Sequence, residues 1–198
     1  MTKFKNRETF LETAVDQELR PMFKEAGYPL PKKIKVTCGW PSKSAGRSSK
    51  QRIGECWDKS ASKVGNVEII ISMALDDTAQ VLDVLIHECV HAAVGNACGH
   101  KGPFRTLAMT LGLEGKMTAT TAGVELSKKI NAMKKRLGKY PHSAIDFSNR
   151  KKQSTRMIKV TCVDDDCGMV FRTSKKWVEY SGGGMDCPIC HTCTVIDY

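Results

Sequence analysis

The sequence has no apolar run long enough to cross a membrane. Its nearly uncharged apolar stretches are far shorter than the roughly 20 residues that a transmembrane helix needs. The first residues, MTKFKNRETF, contain no apolar core of the kind found in signal peptides. We therefore expect a soluble, cytoplasmic protein that has no membrane partner.

The sequence also has no internal repeat and no compositional bias typical of disordered chains. Hydrophobic residues make up 41% of the chain and charged residues 26%, which are ordinary values for a globular protein. A length of 198 residues is sufficient for one main domain with a hydrophobic core and a small second domain.

Acidic residues are missing from the two segments where basic residues are most frequent. The chain contains 31 Lys and Arg against 21 Asp and Glu, which gives a net charge of +10. No acidic residue occurs in residues 32–52 or 128–139. Such basic blocks can attract nucleic acid, although a solvated surface explains each block alone equally well.

The nine cysteines do not indicate a disulfide framework, because their number is odd and no secretory signal accompanies them. Four of them form two pairs near the C-terminus, and four thiolates suit a tetrahedral structural zinc ion: Cys162, Cys167, Cys187 and Cys190. His191 or Cys193 could replace one of these ligands. The remaining four are expected to be buried thiols: Cys38, Cys56, Cys89 and Cys98.

Hydrophobic periodicity predicts an α+β domain followed by the cysteine-rich segment. Asp77 and Gln80 make a plausible capping box at the start of one predicted helix. From residue 140 to about 159 the periodicity fails, and the polar, basic sequence indicates a linker. The predicted helices cover about residues 8–26, 77–95, 103–112 and 126–138, and the predicted strands cover residues 34–38, 52–57 and 67–73.

The helix predicted after Asp77 carries the motif His87-Glu88-Cys89-Val90-His91, an H-E-x-x-H match. Residues four apart lie on one helix face, so both imidazoles can reach one zinc ion, and Glu88 lies beside them as a general base. Chance placement and a closed structural zinc site are the alternatives. The helical context disfavours the first, and three nitrogen or oxygen ligands would leave an open position, which disfavours the second.

A third metal ligand is needed, and two residues could supply it. His100 lies between Gly99 and Lys101-Gly102, and the glycines allow the chain to turn back towards the helix. Glu114 follows the next predicted helix, and a carboxylate from a later helix is another common solution. We favour His100.

These motifs resemble the SprT-like family, which includes the Spartan proteases that degrade proteins crosslinked to DNA. Gly99-His100 followed by Phe104, after His87 to His91, is typical of the family. The similarity is closest to the SprT-like proteins of bacteriophages, and it lies in residues 53–57, 112–120 and 140–142. The resemblance implies that His87, His91 and His100 bind a catalytic zinc ion and that Glu88 is catalytic.

The resemblance and the residues together predict three segments. Residues 1–141 would form a minimal zincin-type metallopeptidase domain with helices on a small β-sheet, residues 142–158 a basic linker, and residues 159–198 a zinc ribbon. We expect two zinc ions, one catalytic and one structural. If the chain is viral, we expect the protein to be located in the cytoplasm of the host cell.

The expected substrates are proteins, above all proteins bound or crosslinked to DNA. Electrostatic contact with DNA would come from the first basic block, and stacking on an aromatic of the ribbon would favour single strands. The candidate DNA contacts are Lys43, Arg47, Lys50, Arg52 and Trp177. A non-catalytic DNA-binding zinc-ribbon protein is the alternative function.

Overall fold

The computed structural model describes residues 3–42, 52–146 and 157–197. The chain divides into two compact units, Met1–Ser148 and Asn149–Tyr198. The fold is mixed α+β, with helices and small sheets, as the sequence predicts. None of the described helices is long and apolar enough to span a membrane.

The larger unit begins with a helical segment that widens in its middle. Helix α1 (Arg7–Thr13) continues into a π-helical segment, Ala14–Leu19, and then into α2 (Arg20–Glu25). The sequence predicts one regular helix over this region. Pro21 explains the difference, because it cannot donate the backbone hydrogen bond that a regular helix requires at that position.

A three-stranded sheet forms part of the core of the larger unit. Its strands are β1 (Ile34–Gly39), β2 (Gly54–Trp57) and β3 (Val67–Ser72), in the order β1-β3-β2. The β1–β3 pair is parallel and the β2–β3 pair is antiparallel. The central strand β3 places Ile69 and Ile71 in the core, where both are fully buried.

Helix α3 (Thr78–Val94) carries the H-E-x-x-H motif and is largely buried. The Asp77 carboxylate accepts a 2.9 Å hydrogen bond from the backbone N–H of Gln80, which confirms the predicted cap. Gly95 follows with a φ of 81°, a conformation that favours glycine, and the helix ends there. The fully buried apolar side chains of this helix are Val81, Leu82, Leu85, Ile86, Cys89 and Val90.

A β-hairpin that the sequence does not predict connects the next two helices. Helix α4 (Pro103–Leu111) is followed by β4 (Leu113–Lys116), β5 (Ala119–Ala122) and α5 (Val124–Leu137). The strands are short and mostly polar, so they lack the alternation that reveals longer strands. The backbone N–H of Gly123 donates to the Gly112 carbonyl at 2.9 Å and closes the base of the hairpin.

The first residues of the predicted linker are bound to the larger unit. Tyr140 is fully buried, and its backbone N–H donates to Thr78 Oγ1 at 2.9 Å. The backbone N–H of Ile145 donates to the Met73 carbonyl, also at 2.9 Å. The chain therefore stays attached to the loop before α3 as far as residue 145.

The smaller unit is a three-stranded antiparallel sheet with one short helix. Strands β6 (Ile158–Cys162), β7 (Val170–Thr173) and β8 (Thr194–Asp197) have the order β7-β6-β8. Helix α6 (Lys175–Tyr180), which the sequence does not predict, contains Val178, and Val178 and Val160 of β6 are both fully buried. So few buried apolar residues provide a very small core, and additional stabilisation is required.

Candidate metal centres

Three histidines of the larger unit lie close together. His87 and His91 lie one turn apart on α3, and their ring centroids are 5.4 Å apart. His100 follows a 3₁₀ turn, and its Nε2 lies 3.1 Å from Nε2 of His91. One ligand nitrogen from each ring lies within 4.8 Å of the others, so the three could hold one metal ion. Nitrogens that share a zinc ion at bonds of about 2 Å lie roughly 3 to 3.5 Å apart, so small movements suffice.

Glycines bring His100 back to the helix. Gly99 and Gly102 flank this residue and have φ values of 54° and 49°, a region that glycine adopts without strain. Glu114, the other candidate ligand, lies exposed on β4, where its carboxylate contacts Gly123. Among the described residues, Glu114 is not part of the histidine group.

The ring of Phe104 packs against the rings of all three histidines. Its centroid lies 5.1 Å from that of His87, 4.4 Å from that of His91 and 4.8 Å from that of His100, and the side chain is fully buried. The sequence places Phe104 on a predicted helix and in the family resemblance, but it predicts no role for this residue at the site. Its position in the first turn of α4, directly after the glycine loop, is the signal that could have suggested one.

Burial keeps the imidazoles neutral. It lowers the pKa of His87 to about 4 and that of His91 to about 3, with a smaller contribution from the neighbouring histidines. Burial also lowers the pKa of His100. Neutral imidazole is the form that binds metals, so these rings need to lose no proton at neutral pH. Nδ1 of His91 is buried without a hydrogen-bond partner in the described part of the chain.

Glu88 lies next to His87 on α3, and β2 confines its carboxylate. A Cβ on Gly54 would lie 2.5 Å from Oε1 of Glu88 and 2.6 Å from a methyl carbon of Val84. Burial, with the charge of Glu55, raises the pKa of Glu88 to about 8. A cation bound by the neighbouring histidines would favour the ionised carboxylate and lower that pKa.

Glu55 is a buried carboxylate with a complete set of donors. Its oxygens accept hydrogen bonds from the backbone N–H of Ser42 at 2.7 Å, from Ser42 Oγ at 2.6 Å and from Arg52 Nη1 at 2.8 Å. Burial by itself raises the pKa of Glu55, but these bonds outweigh it and the pKa is lowered. Glu55 is therefore ionised and contributes negative charge beside Glu88. Nothing in the sequence by itself predicts a role for Glu55.

The four predicted cysteines of the smaller unit form a second group. One sulfur from each lies within 4.8 Å of the others, and Cys162–Cys190 and Cys167–Cys187 are 3.4 Å and 3.7 Å apart. Sulfurs around one zinc ion, at bonds of about 2.3 Å, have comparable separations. The backbone N–H groups of Asp164 and Ile189 point at the sulfurs of Cys162 and Cys187, both at 3.4 Å. These donors favour thiolates.

Thr192 stabilises the thiolate form of Cys190 in this group. Its hydroxyl lies 2.9 Å from the sulfur of Cys190 and 3.2 Å from that of Cys162, and hydrogen bonds from Thr192 lower the pKa of Cys190 to about 6. Neither alternative ligand from the sequence analysis belongs to the group within the described residues. His191 occupies a positive-φ turn, and Cys193 is exposed.

The predicted DNA contacts are only partly within the described residues. Lys43, Arg47 and Lys50 lie outside them. Arg52 is described and pairs with Glu55. Trp177 is 52% exposed, with Nζ of Lys176 5.3 Å above its ring, so it is available to a partner.

Comparisons with protein-family models, curated proteins and solved structures found no match for this chain. The histidine group and the cysteine group are the features of the described residues that indicate a function. Both groups have the donor types and spacing of metal sites, although the identity of the metal is not shown.

Replacing Gly54 with alanine tests the close approach of β2 to Glu88. We expect Gly54→Ala to lower the free energy of unfolding by about 1 to 3 kcal/mol, because the new methyl group overlaps Glu88 and Val84. The matched control is Gly39→Ala in β1, where a Cβ would meet Ile70 at an ordinary 3.5 Å. Urea unfolding should place this control within about 0.5 kcal/mol of the wild type. Equal losses in the two variants would contradict the assigned contact.

Metal content tests the third histidine. The wild-type chain should hold two zinc ions, and His100→Ala should lower the content towards one, because the histidine group loses a ligand while the cysteine group stays intact. Glu114→Ala should retain both ions. Elemental analysis of dialysed protein distinguishes the variants, and loss of metal in Glu114→Ala alone would show that His100 is the wrong choice.

Proposed function

We propose that this protein is a zinc-dependent peptidase with Glu88 as general base. The observation that carries the proposal is the convergence of three histidine nitrogens within 4.8 Å, with a buried carboxylate on the same helix. Three neutral nitrogen ligands leave one tetrahedral position open, as catalytic zinc sites do. Four cysteines, the donor set typical of closed structural zinc sites, lie together in the smaller unit.

The residues divide the hydrolysis between them. His87, His91 and His100 would hold a zinc ion, which would supply Lewis acidity for polarising the peptide carbonyl and would lower the pKa of water. The Glu88 carboxylate accepts a proton from the water molecule that attacks the carbonyl carbon. When the C–N bond breaks, the protonated Glu88 returns that proton to the leaving amine. Burial of Glu88 against Gly54 holds the carboxylate in one place during both transfers.

We further propose membership of the SprT-like, Spartan-type family. The arrangement of His87, His91, His100 and Phe104 around one point supports this assignment, because the motif residues of the resemblance meet in space. On this proposal the larger unit is a minimal zincin-type domain. The group of four cysteines and the three-stranded antiparallel sheet support a zinc ribbon in the smaller unit.

Glu88→Gln tests the peptidase. The amide has nearly the same size but cannot accept a proton from water. The variant should therefore retain its zinc, and its rate of proteolysis should fall by at least about 100-fold. The measurement is cleavage of a DNA-bound protein, followed on gels with and without DNA, alongside elemental analysis. If wild type and variant cleave equally, Glu88 is not the base. If neither cleaves, the alternative of a non-catalytic DNA-binding protein is favoured.

The proposed substrates are proteins bound or crosslinked to DNA. The net charge of +10 and the first basic block support attraction to phosphates. In the smaller unit, Trp177 and Tyr180 are 52% and 83% exposed, their rings are 5.8 Å apart, and lysines lie beside them on α6. Exposed aromatics with adjacent cations suit stacking on unpaired bases, which supports a preference for single strands.

Salt dependence separates the two proposed DNA contacts. Trp177→Ala should weaken single-stranded DNA binding by roughly 5- to 150-fold, because stacking contributes about 1 to 3 kcal/mol per base, with little change in the salt slope. Lys43→Gln should instead reduce the slope of log affinity against log salt by about 0.7. Val195→Ala, at another exposed apolar position of the smaller unit, is the control. Fluorescence anisotropy over a salt series measures all three, and unchanged binding in Trp177→Ala would remove the stacking contact.

A further inference from the structure

The hairpin strand β5 lies against the helix that carries the metal-ligand histidines. Thr120 and Ala122 are partly buried, whereas Ala119 and Thr121 are exposed, so alternate residues of this strand point at the protein interior. Oγ1 of Thr120 lies 2.8 Å from Nδ1 of His87, within hydrogen-bonding distance. Nothing in the sequence by itself predicts a role for Thr120.

A second contact places the strand independently of Thr120. The backbone N–H of Ala122 lies near the carboxylate of Asp83, one turn before His87 on α3, and lowers the pKa that burial raises to about 6. The hairpin is also closed at its base by the bond from Gly123 to Gly112. The position of β5 therefore does not depend on the Thr120 hydroxyl alone, so a substitution there tests the hydroxyl without removing the strand.

The hydroxyl has a specific consequence for the chemistry of His87. A neutral imidazole carries one proton, on either Nδ1 or Nε2, and only the nitrogen without it can bind a metal. Because Nδ1 faces Thr120, Nε2 is the nitrogen left for a metal ion. Hydrogen bonds from the remote ring nitrogen of a metal-binding histidine orient the ring and raise its basicity.

We propose that Thr120 is a positioning residue for the histidine centre. It accepts the Nδ1–H of His87, which selects the tautomer with a free Nε2 lone pair and holds the ring at the angle that directs Nε2 towards His91 and His100. The proposal rests on the metal-binding part of the proposed function. It does not depend on whether the bound ion is catalytic.

Metal affinity of the full chain tests the proposal without any activity measurement. Competition with a chromogenic chelator should show that Thr120→Val weakens Zn²⁺ binding at the histidine centre by about 10- to 100-fold, the usual effect of losing such a contact. The cysteine group should bind as in the wild type. Thr120→Ser, which keeps the hydroxyl, should bind within about twofold of the wild type, and so should Thr121→Val, the same change at the exposed neighbouring position.

A spectroscopic measurement distinguishes positioning from general support. In the zinc-loaded wild type, ¹⁵N spectra of the histidine rings should show His87 protonated at Nδ1 and protected from exchange, and Thr120→Val should lose that protection. Should the valine variant fail to fold, the affinity ratio of Thr120→Ser to Thr120→Ala replaces it and should again be at least about tenfold. Equal affinities for all variants, or an equal loss in Thr121→Val, would overturn the proposal. A metal-binding but inactive wild type would refute the peptidase and leave this result intact.

Discussion

The desolvation of three neighbouring imidazoles is the constraint on which the histidine group depends. Three imidazoles whose ligand nitrogens lie within 4.8 Å of one another would repel if they were charged, and burial keeps them neutral. Each surrounding element contributes to this arrangement. Helix α3 carries His87 and His91, and the glycine loop carries His100. The ring of Phe104 packs against the three histidine rings, and Thr120 of β5 lies within hydrogen-bonding distance of Nδ1 of His87.

The same burial has a different effect on the carboxylates beside the histidines. Glu55 has donors from Ser42 and Arg52 and remains ionised, whereas Glu88 lacks comparable donors among the described contacts and has a raised pKa. Two adjacent carboxylates are thus placed in environments that shift their pKa values in opposite directions. Such a separation is typical of sites where one group exchanges protons and the other stays charged.

The two candidate metal centres lie in units that differ in the size of their hydrophobic cores. The smaller unit has few buried apolar residues, and its four sulfurs, with amide and hydroxyl donors around them, can replace a hydrophobic core once they share an ion. The larger unit has a continuous hydrophobic core. In the proposed function its histidine group has a chemical role instead.

The local sequence was sufficient to predict the elements that have a strong hydrophobic periodicity or a complete motif. The cap at Asp77, the apolar face of α3, and the spacing of His87 and His91 are properties of one helix, so they follow from short-range geometry. The cysteine set was also predictable, because metal ligands recur in pairs. Only the tertiary structure decided that His100 rather than Glu114 joins the helix histidines, and that Gly54, Phe104 and Thr120 surround them. These contacts join segments far apart in the chain, so the sequence alone does not show that these residues meet until packing brings them together.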